Sequence, residues 1–209
     1  MLDNRIVIIG YSGHALVVLD AAIAMGLEIH GYCEPTAVVF NPHALKYFGN
    51  ESDGAFSWNN DVDFILGIGD NATRYKSAQR INKHNGRVLN VIHPASNIGS
   101  SVKIGNGNFV NVNACVNAFA TIGDYCILNT GCIVEHECQL GNAVHVAPGA
   151  VLAGNVTVGN FSFVGANSVI KQGVRIGENV IIGAGSVVLK DVEDNQIVVG
   201  NPAKKIRTQ

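Results

Sequence analysis

From Ile98 onward an aliphatic side chain returns at every sixth position without a break: Ile98, Ile104, Val110, Val116, Ile122, Leu128, Val134, Leu140, Val146, Leu152, Val158, Val164, Ile170, Ile176, Ile182 and Val188. Four residues after each stands a small residue or Val, with Asn108 the single departure. An ordinary β-sandwich needs two-residue alternation between irregularly spaced turns. A strict period of six instead predicts a β-solenoid, in which each short strand stacks on its equivalent in the next coil.

A second period sets the shape of the coil. Gly follows the aliphatic at Gly105, Gly123, Gly141, Gly159 and Gly177, each time followed by Asn, Asp or Glu. The spacing is three hexads, so one coil has three flat faces, and one of its corners always begins with the same step. Gly there fits either an unusual backbone angle or a close approach. Coils roughly 4.8 Å apart make about five coils a squat triangular prism.

The residue before each aliphatic points outward, because strand side chains alternate. Three outer columns result. Phe109, Ile127, His145, Phe163 and Ile181 form one, and Cys115, Ile133, Val151, Val169 and Val187 a second. Thr121, Gln139, Thr157, Arg175 and Glu193 form the third. Two are apolar, and a lone chain does not leave such stripes in water. A homotrimer packed around a threefold axis covers both; the N-terminal half or the C-terminal tail is the alternative cover for one.

Ahead of the repeat the rules differ. Residues 5–10 read as a strand, 14–25 as a helix, 28–33 as a second strand, 63–69 as a third, 72–84 as a helix and 87–92 as a strand. Residues 35–60 have weak periodicity and read as irregular. This order predicts a small parallel sheet with helices, a Rossmann-like βαβ unit without its second half. The expected division is 1–92 for nucleotide-sugar binding and 93–209 for the β-helix with its tail.

Composition narrows the function. Charged residues are 14% of the 209 and the formal net charge is −2, so no basic surplus exists to grip nucleic acid. No apolar run has the length of a membrane span, and residues 1–5 lead into a strand without a signal peptide's pattern. Five cysteines lack a disulfide framework, which predicts a reducing compartment, the cytoplasm. Cys126, Cys132 and Cys138 occupy the small inward position and read as core.

Two histidines stand out. His136 lies between Glu135 and Glu137, two residues after an aliphatic, hence outside and near a corner. Its stacked neighbours are Ala118 and Gly154, so a gap adjoins the imidazole. Such a histidine suits general-base work at neutral pH, with a carboxylate fixing its tautomer and free N–H groups ready for an oxyanion. The commoner alternative is a solvated surface histidine. His145 projects from an apolar column. Zinc ligands must converge at one level, and the spacings of His93, His136 and His145 do not deliver that; no metal is expected.

In the first half, Gly10, Tyr11, Ser12, Gly13 and His14 join a strand to a helix, a turn that can offer N–H groups to phosphate. Glu34 and the run from Gly67 to Gly69, with Asp70 and Asn71, end strands on the same rim. A nucleotide lying across these ends is one reading, and tight strand–helix packing is the other. Lys204 and Lys205 in the closing turn suit either CoA phosphates or a solvated tail.

The runs GYSGHA at 10–15, GIGDN at 67–71, ILNTGCIVEHE at 127–137 and GNPAKKI at 200–206, spread over nearly the whole chain, resemble the sialic-acid O-acetyltransferases and bacillosamine N-acetyltransferases. The resemblance implies a left-handed parallel β-helix, a homotrimer with sites between subunits, acetyl-CoA as co-substrate, and a nucleotide-linked, UDP-type 4-amino-4,6-dideoxy sugar as acceptor for glycan synthesis. It implies His136 as base with Glu137 orienting it, and His145, Gly154, Ala166 and Ala184 as acetyl-CoA contacts. It places Ser12, Gly13, His14 and Asn129 at the sugar nucleotide, and the strand-end rim adds Glu34 and Gly69. One departure is Cys33 and Glu34, where the bacillosamine enzymes carry paired aspartates. O-acetylation of sialic acid is the nearest rival; a zinc hydrase of the β-helical carbonic anhydrase kind and a silent sugar-nucleotide sensor are rivals of other classes.

Overall fold

A computed structural model describes residues 5–58 and 61–208. The leader reading at residues 1–4 and the end of the irregular segment at 59–60 lie outside the described residues.

The N-terminal part is a parallel α/β layer. Strands β1 (Arg5–Ile9), β2 (Ile29–Cys33), β3 (Lys46–Tyr47), β4 (Val62–Leu66) and β5 (Arg87–Val88) form one sheet in the order β3-β2-β1-β4-β5. All its pairings are parallel. Central β1 and β4 are nearly continuous apolar runs because both faces are covered. Helix α1 (Gly13–Ala24) buries Ala15, Val18, Leu19 and Ala22 at helical spacing. Helix α2 (Asn71–Lys83) buries Arg74, Ser77, Ala78 and Ile81, and Asp70 caps it by accepting from the Thr73 N–H at 2.8 Å.

Two expectations need correction. The segment 35–60 contains β3, a strand too short to show period two. The strand expected over 87–92 is two strands. The Leu89 N–H still donates to Phe64 in the first sheet, whereas the Val91 N–H donates to Asn108 in the solenoid. Asn90 makes the switch, its side chain donating to the Gly105 carbonyl and accepting from the Asn108 N–H, both at 2.8 Å.

From Val91 the chain forms a parallel β-solenoid. Among the described residues, seventeen two-residue strands run from Val91–Ile92 to Val187–Val188, three per coil, so a little under six coils. Every pairing among these strands joins residues eighteen apart, Cys115 to Ile133 for example. The hexad aliphatics fill one dry core with Cys126, Cys132 and Cys138. A closing hairpin, Gln196–Val199 with Lys204–Thr208, ends the prism. The faces are called first, second and third after the strands at 109–110, 115–116 and 121–122, and each corner takes the number of the face it follows.

The Gly-Asn/Asp step works by close approach and not by an unusual backbone angle. The positive φ sits two residues later, at Gly107, Tyr125, Ala143, Phe161 and Asn179. At three of the steps, the side chain after the Gly bonds the backbone of the coil before it. Asp124, Asn142 and Asn160 accept from the N–H groups of Asn106, Asp124 and Asn142 at 2.7–2.8 Å. That ladder leaves no room for a Cβ. A methyl at Gly159 would lie 2.6 Å from the Gly177 carbonyl and the Glu178 nitrogen. Gly159→Ala is therefore expected to lower stability by about 1–3 kcal/mol, measured as a lower urea midpoint at unchanged slope.

Candidate active site

The α/β layer sits on the first face and third corner of the prism. Val91, Phe109 and Ile127 share a core with Ile8, Ala15 and Leu19. The first apolar column is thus covered at its lower end within the chain, which corrects the need for two stripes to be covered by partners. The second column stays partly open, with Val169 41% exposed.

The clamp between the two parts is one arginine that the sequence reading missed. Arg74 is 1% exposed. Its Nε donates to the Tyr125 carbonyl at 2.8 Å and one terminal nitrogen to the Ala143 carbonyl at 3.1 Å. The other reaches the carbonyls of Ile68 and Gly69 at 3.2 and 2.9 Å. Tyr125 and Ala143 are left-handed corner residues of successive coils, and Asn71 serves the next, Phe161, at 2.9 Å. Three corner carbonyls are satisfied by side chains of α2, and Tyr75 packs edge-on against Tyr125 and Phe161. Burial lowers the guanidinium pKa to about 10, so it stays charged at neutral pH. Its place in the buried stripe 74, 77, 78, 81 was the signal available in the sequence.

On the rim of the sheet, Gly10, Ser12, Glu34, Gly67, Gly69, Lys76 and Arg80 line a cavity of about 450 Å³. The glycines divide by role. Gly67 is packed, since a Cβ would meet Ala15 at 2.6 Å, whereas a Cβ on Gly13 would meet nothing within 4 Å. Ser12 leads into α1 in extended conformation and its hydroxyl does not cap the helix. Glu34 accepts from the Tyr11 N–H at 2.5 Å. Cys33 behind it is fully buried, and burial with Glu51 and Glu34 nearby pushes its thiol up to about 12, leaving it unreactive. Glu51, from the segment read as irregular, is buried against Ser77 and Arg80.

His14 and His145 meet at the seam. Their ring centroids are 6.2 Å apart. His145, 8% exposed, packs on Phe163 and contacts the Asn129 amide at 3.3 Å. Burial, and then the Arg74 charge, lower His14 to about 4; burial, Arg74 and then His14 lower His145 to about 3. Both are neutral at pH 7. Unfolded histidines titrate near ~6.5, so below that value the unfolded chain binds protons that the folded chain refuses, and stability falls with pH. The thermal midpoint is expected to drop as pH falls from about 6.5 towards 4, and His145→Asn is expected to flatten that slope in calorimetric scans.

His136 lies on the second corner, exposed, with Nδ1 3.0 Å from Glu137 Oε2. A carboxylate only accepts, so Nδ1 carries the hydrogen and Nε2 presents a lone pair. Gly154 stacks against the ring, and a Cβ there would lie 2.5 Å from Nε2. Among the described residues the N–H groups of Gly154, Ala166 and Ala184 donate to no acceptor. Ala166 and Ala184 stack on the first corner, one coil apart, and their corner is also where Asn129 begins. Three groups of predicted residues thus stand apart: Ser12, Glu34 and Gly69 lining the rim cavity, with Gly13 next to Ser12 at the start of α1 but not in the lining; His14, His145 and Asn129 at the seam; His136, Glu137 and Gly154 on the far corner.

No cluster of three His, Cys, Asp or Glu side chains able to hold a metal occurs among the described residues, and no described helix is long and apolar enough to cross a membrane.

Comparison with known proteins agrees with this architecture. Residues 5–81 match the PglD N-terminal domain, and residues 155–190 match the bacterial transferase hexapeptide (six repeats). A histidine mutant of perosamine N-acetyltransferase from Caulobacter crescentus, in complex with CoA and GDP-perosamine, is 34% identical over 96% of each chain, with a TM-score of 0.87. The acetyltransferase domain of PglB from Neisseria gonorrhoeae, in complex with acetyl coenzyme A, is 30% identical over 97% of this chain and 99% of that one, with a TM-score of 0.91. WeeI from Acinetobacter baumannii, 24% identical with a TM-score of 0.88, shares the fold.

Proposed function

The chain belongs to the PglD-type family of hexapeptide-repeat sugar N-acetyltransferases, and from that premise we propose that it acetylates the 4-amino group of a nucleotide-linked 4-amino-4,6-dideoxy sugar, with His136 as general base. The carrying observation is the His136 corner: an exposed imidazole, oriented by Glu137, whose ring lies over Gly154 in the space a side chain there would fill, with Nε2 unpaired among the described residues.

The steps follow from this geometry. The amine attacks the thioester carbonyl as Nε2 takes its proton. The C–S bond of the tetrahedral intermediate then breaks, and the thiolate leaves to be protonated as CoA. The Gly154 N–H is the donor available to the developing oxyanion. Lys190 stands on the same corner three coils above His136, roughly 14 Å away at about 4.8 Å per coil. It shares a cavity of about 470 Å³ with Lys204 and Lys205. We assign the CoA phosphates to these lysines and the pantetheine arm to the corner between.

The acceptor's nucleotide belongs to the rim cavity of the N-terminal domain, which Ser12 and Glu34 line and beside which Gly13 starts α1. That domain covers the first face of the solenoid, and the second corner lies opposite. A nucleotide sugar held on one chain is therefore presented to His136 of another, with Ala166, Ala184 and Asn129 on the adjoining first corner. A homotrimer closing over the second apolar column accomplishes this. UDP is the favoured carrier on the overall resemblance, and GDP is carried by the acceptor in the perosamine relative. The cytoplasm, where acetyl-CoA is available, is the proposed compartment.

Incubation with acetyl-CoA and a panel of UDP- and GDP-linked amino and hydroxy sugars, followed by CoA release, tests the reading. Turnover confined to the amino sugars supports it, and turnover only with free sialic acid overturns it.

A further inference from the structure

Corner geometry imposes a positive φ on one residue per turn, and Asn or Gly usually fills the position because bulky residues are strained there. An aromatic fills it three times: Phe119 at φ 61°, Tyr125 at 58° and Phe161 at 60°. The last two have an evident reason, since Tyr75 of α2 packs on both rings. Phe119 has none among the described residues. It is 71% exposed, and only its backbone is tied, the N–H donating to Ser101 Oγ at 3.0 Å.

Its place in the stack is specific. The column contains Ser101, Phe119, Glu137, Asn155 and Gly173, so Phe119 is the sole apolar side chain, directly one coil below Glu137. His136 therefore has two different flanks. Above it are Gly154, whose backbone the imidazole overlies, and the route to Lys190; below it are the small Ala118 and the Phe119 ring. With the thioester on the upper flank, the lower flank is left for the attacking amine.

We infer that Phe119 is a specificity-determining residue, the wall against which the apolar face and C6 methyl of the acceptor sugar rest while the 4-amino group meets His136. Burying one face of a phenyl ring against C–H groups provides the binding free energy, and the strained backbone conformation is held at the functional site. The inference rests on the acetyl-transfer reading above.

Phe119→Asn separates this role from a structural one, because Asn tolerates the left-handed conformation. Its thermal midpoint is expected to rise by about 2 °C with native mass unchanged. The KM for the nucleotide amino sugar is expected to rise about tenfold, while the KM for acetyl-CoA stays put. Phe119→Trp, which keeps a platform, is expected to retain most acceptor affinity. An unchanged acceptor KM, an equal rise in both KM values, or a fall in native mass would overturn the inference and leave acetyl transfer standing. A wild-type protein that releases no CoA with any nucleotide amino sugar would remove both.

Discussion

His136→Ala is expected to lower kcat by about 10²–10⁴-fold, with the thermal midpoint and the native mass unchanged. The imidazole is exposed, and its only side-chain hydrogen-bond partner among the described residues is the neighbouring Glu137, so its removal opens no core cavity. The loss belongs in kcat, since proton transfer occurs in the transition state and not in the bound ground state. Glu137→Gln keeps an acceptor for Nδ1 and is expected to cost less than His136→Ala, because it weakens the orientation of the base without deleting it. Gly154→Ala probes the same corner from the other side. Its methyl would lie 2.4 Å from Cε1 and 2.5 Å from Nε2, so the imidazole must be pushed aside, and kcat/KM for acetyl-CoA is expected to fall with the base present but displaced. Steady-state kinetics with varied acetyl-CoA check all three, and a His136→Ala protein with undiminished kcat would sink the assignment of the base.

Arg74→Met is expected to destabilise the protein by on the order of 3–5 kcal/mol, an unusually large effect for one side chain. Methionine fills much of the volume but leaves the carbonyls of Ile68, Gly69, Tyr125 and Ala143 without their donor. Each buried acceptor left unpaired costs about 1–3 kcal/mol, offset in part by water entry and by relief of the arginine's own desolvation. Arg74→Lys is expected to recover little, because a single ammonium cannot span two coils and the strand rim as the planar fork does. Urea unfolding measures the loss. Cleavage by a protease between residues 84 and 97, slow in the wild type, is expected to accelerate as the α/β layer detaches. Stability within about 0.5 kcal/mol of wild type would refute the clamp.

The coil, its three faces and its inward positions were legible in the sequence because each is a local periodicity. Stacking identical rungs repeats one environment every eighteen residues, so each position reports its own direction. The His136–Gly154 pairing followed by the same arithmetic. The glycine ladder was half legible: close approach and an unusual angle predict the same residue, and only the stacked Asx bonds distinguish them. His145 was less legible, for an outward position in the repeat says nothing about what covers it.

What the chain encoded by itself was the repeat, the parallel α/β unit and the corner that presents an imidazole. What the tertiary structure decided was where the two parts meet: β3 within an aperiodic segment, the break at Asn90, the neutral His14–His145 seam and the Arg74 clamp. The seam and the clamp depend on contacts between residues some fifty or more apart with no common period, as between Arg74 and Tyr125, while β3 and the Asn90 break rest on single pairings that no repeated pattern announces. A repeat determines the direction of its own side chains, while the docking of a second layer is set by which corner carbonyls happen to need a donor.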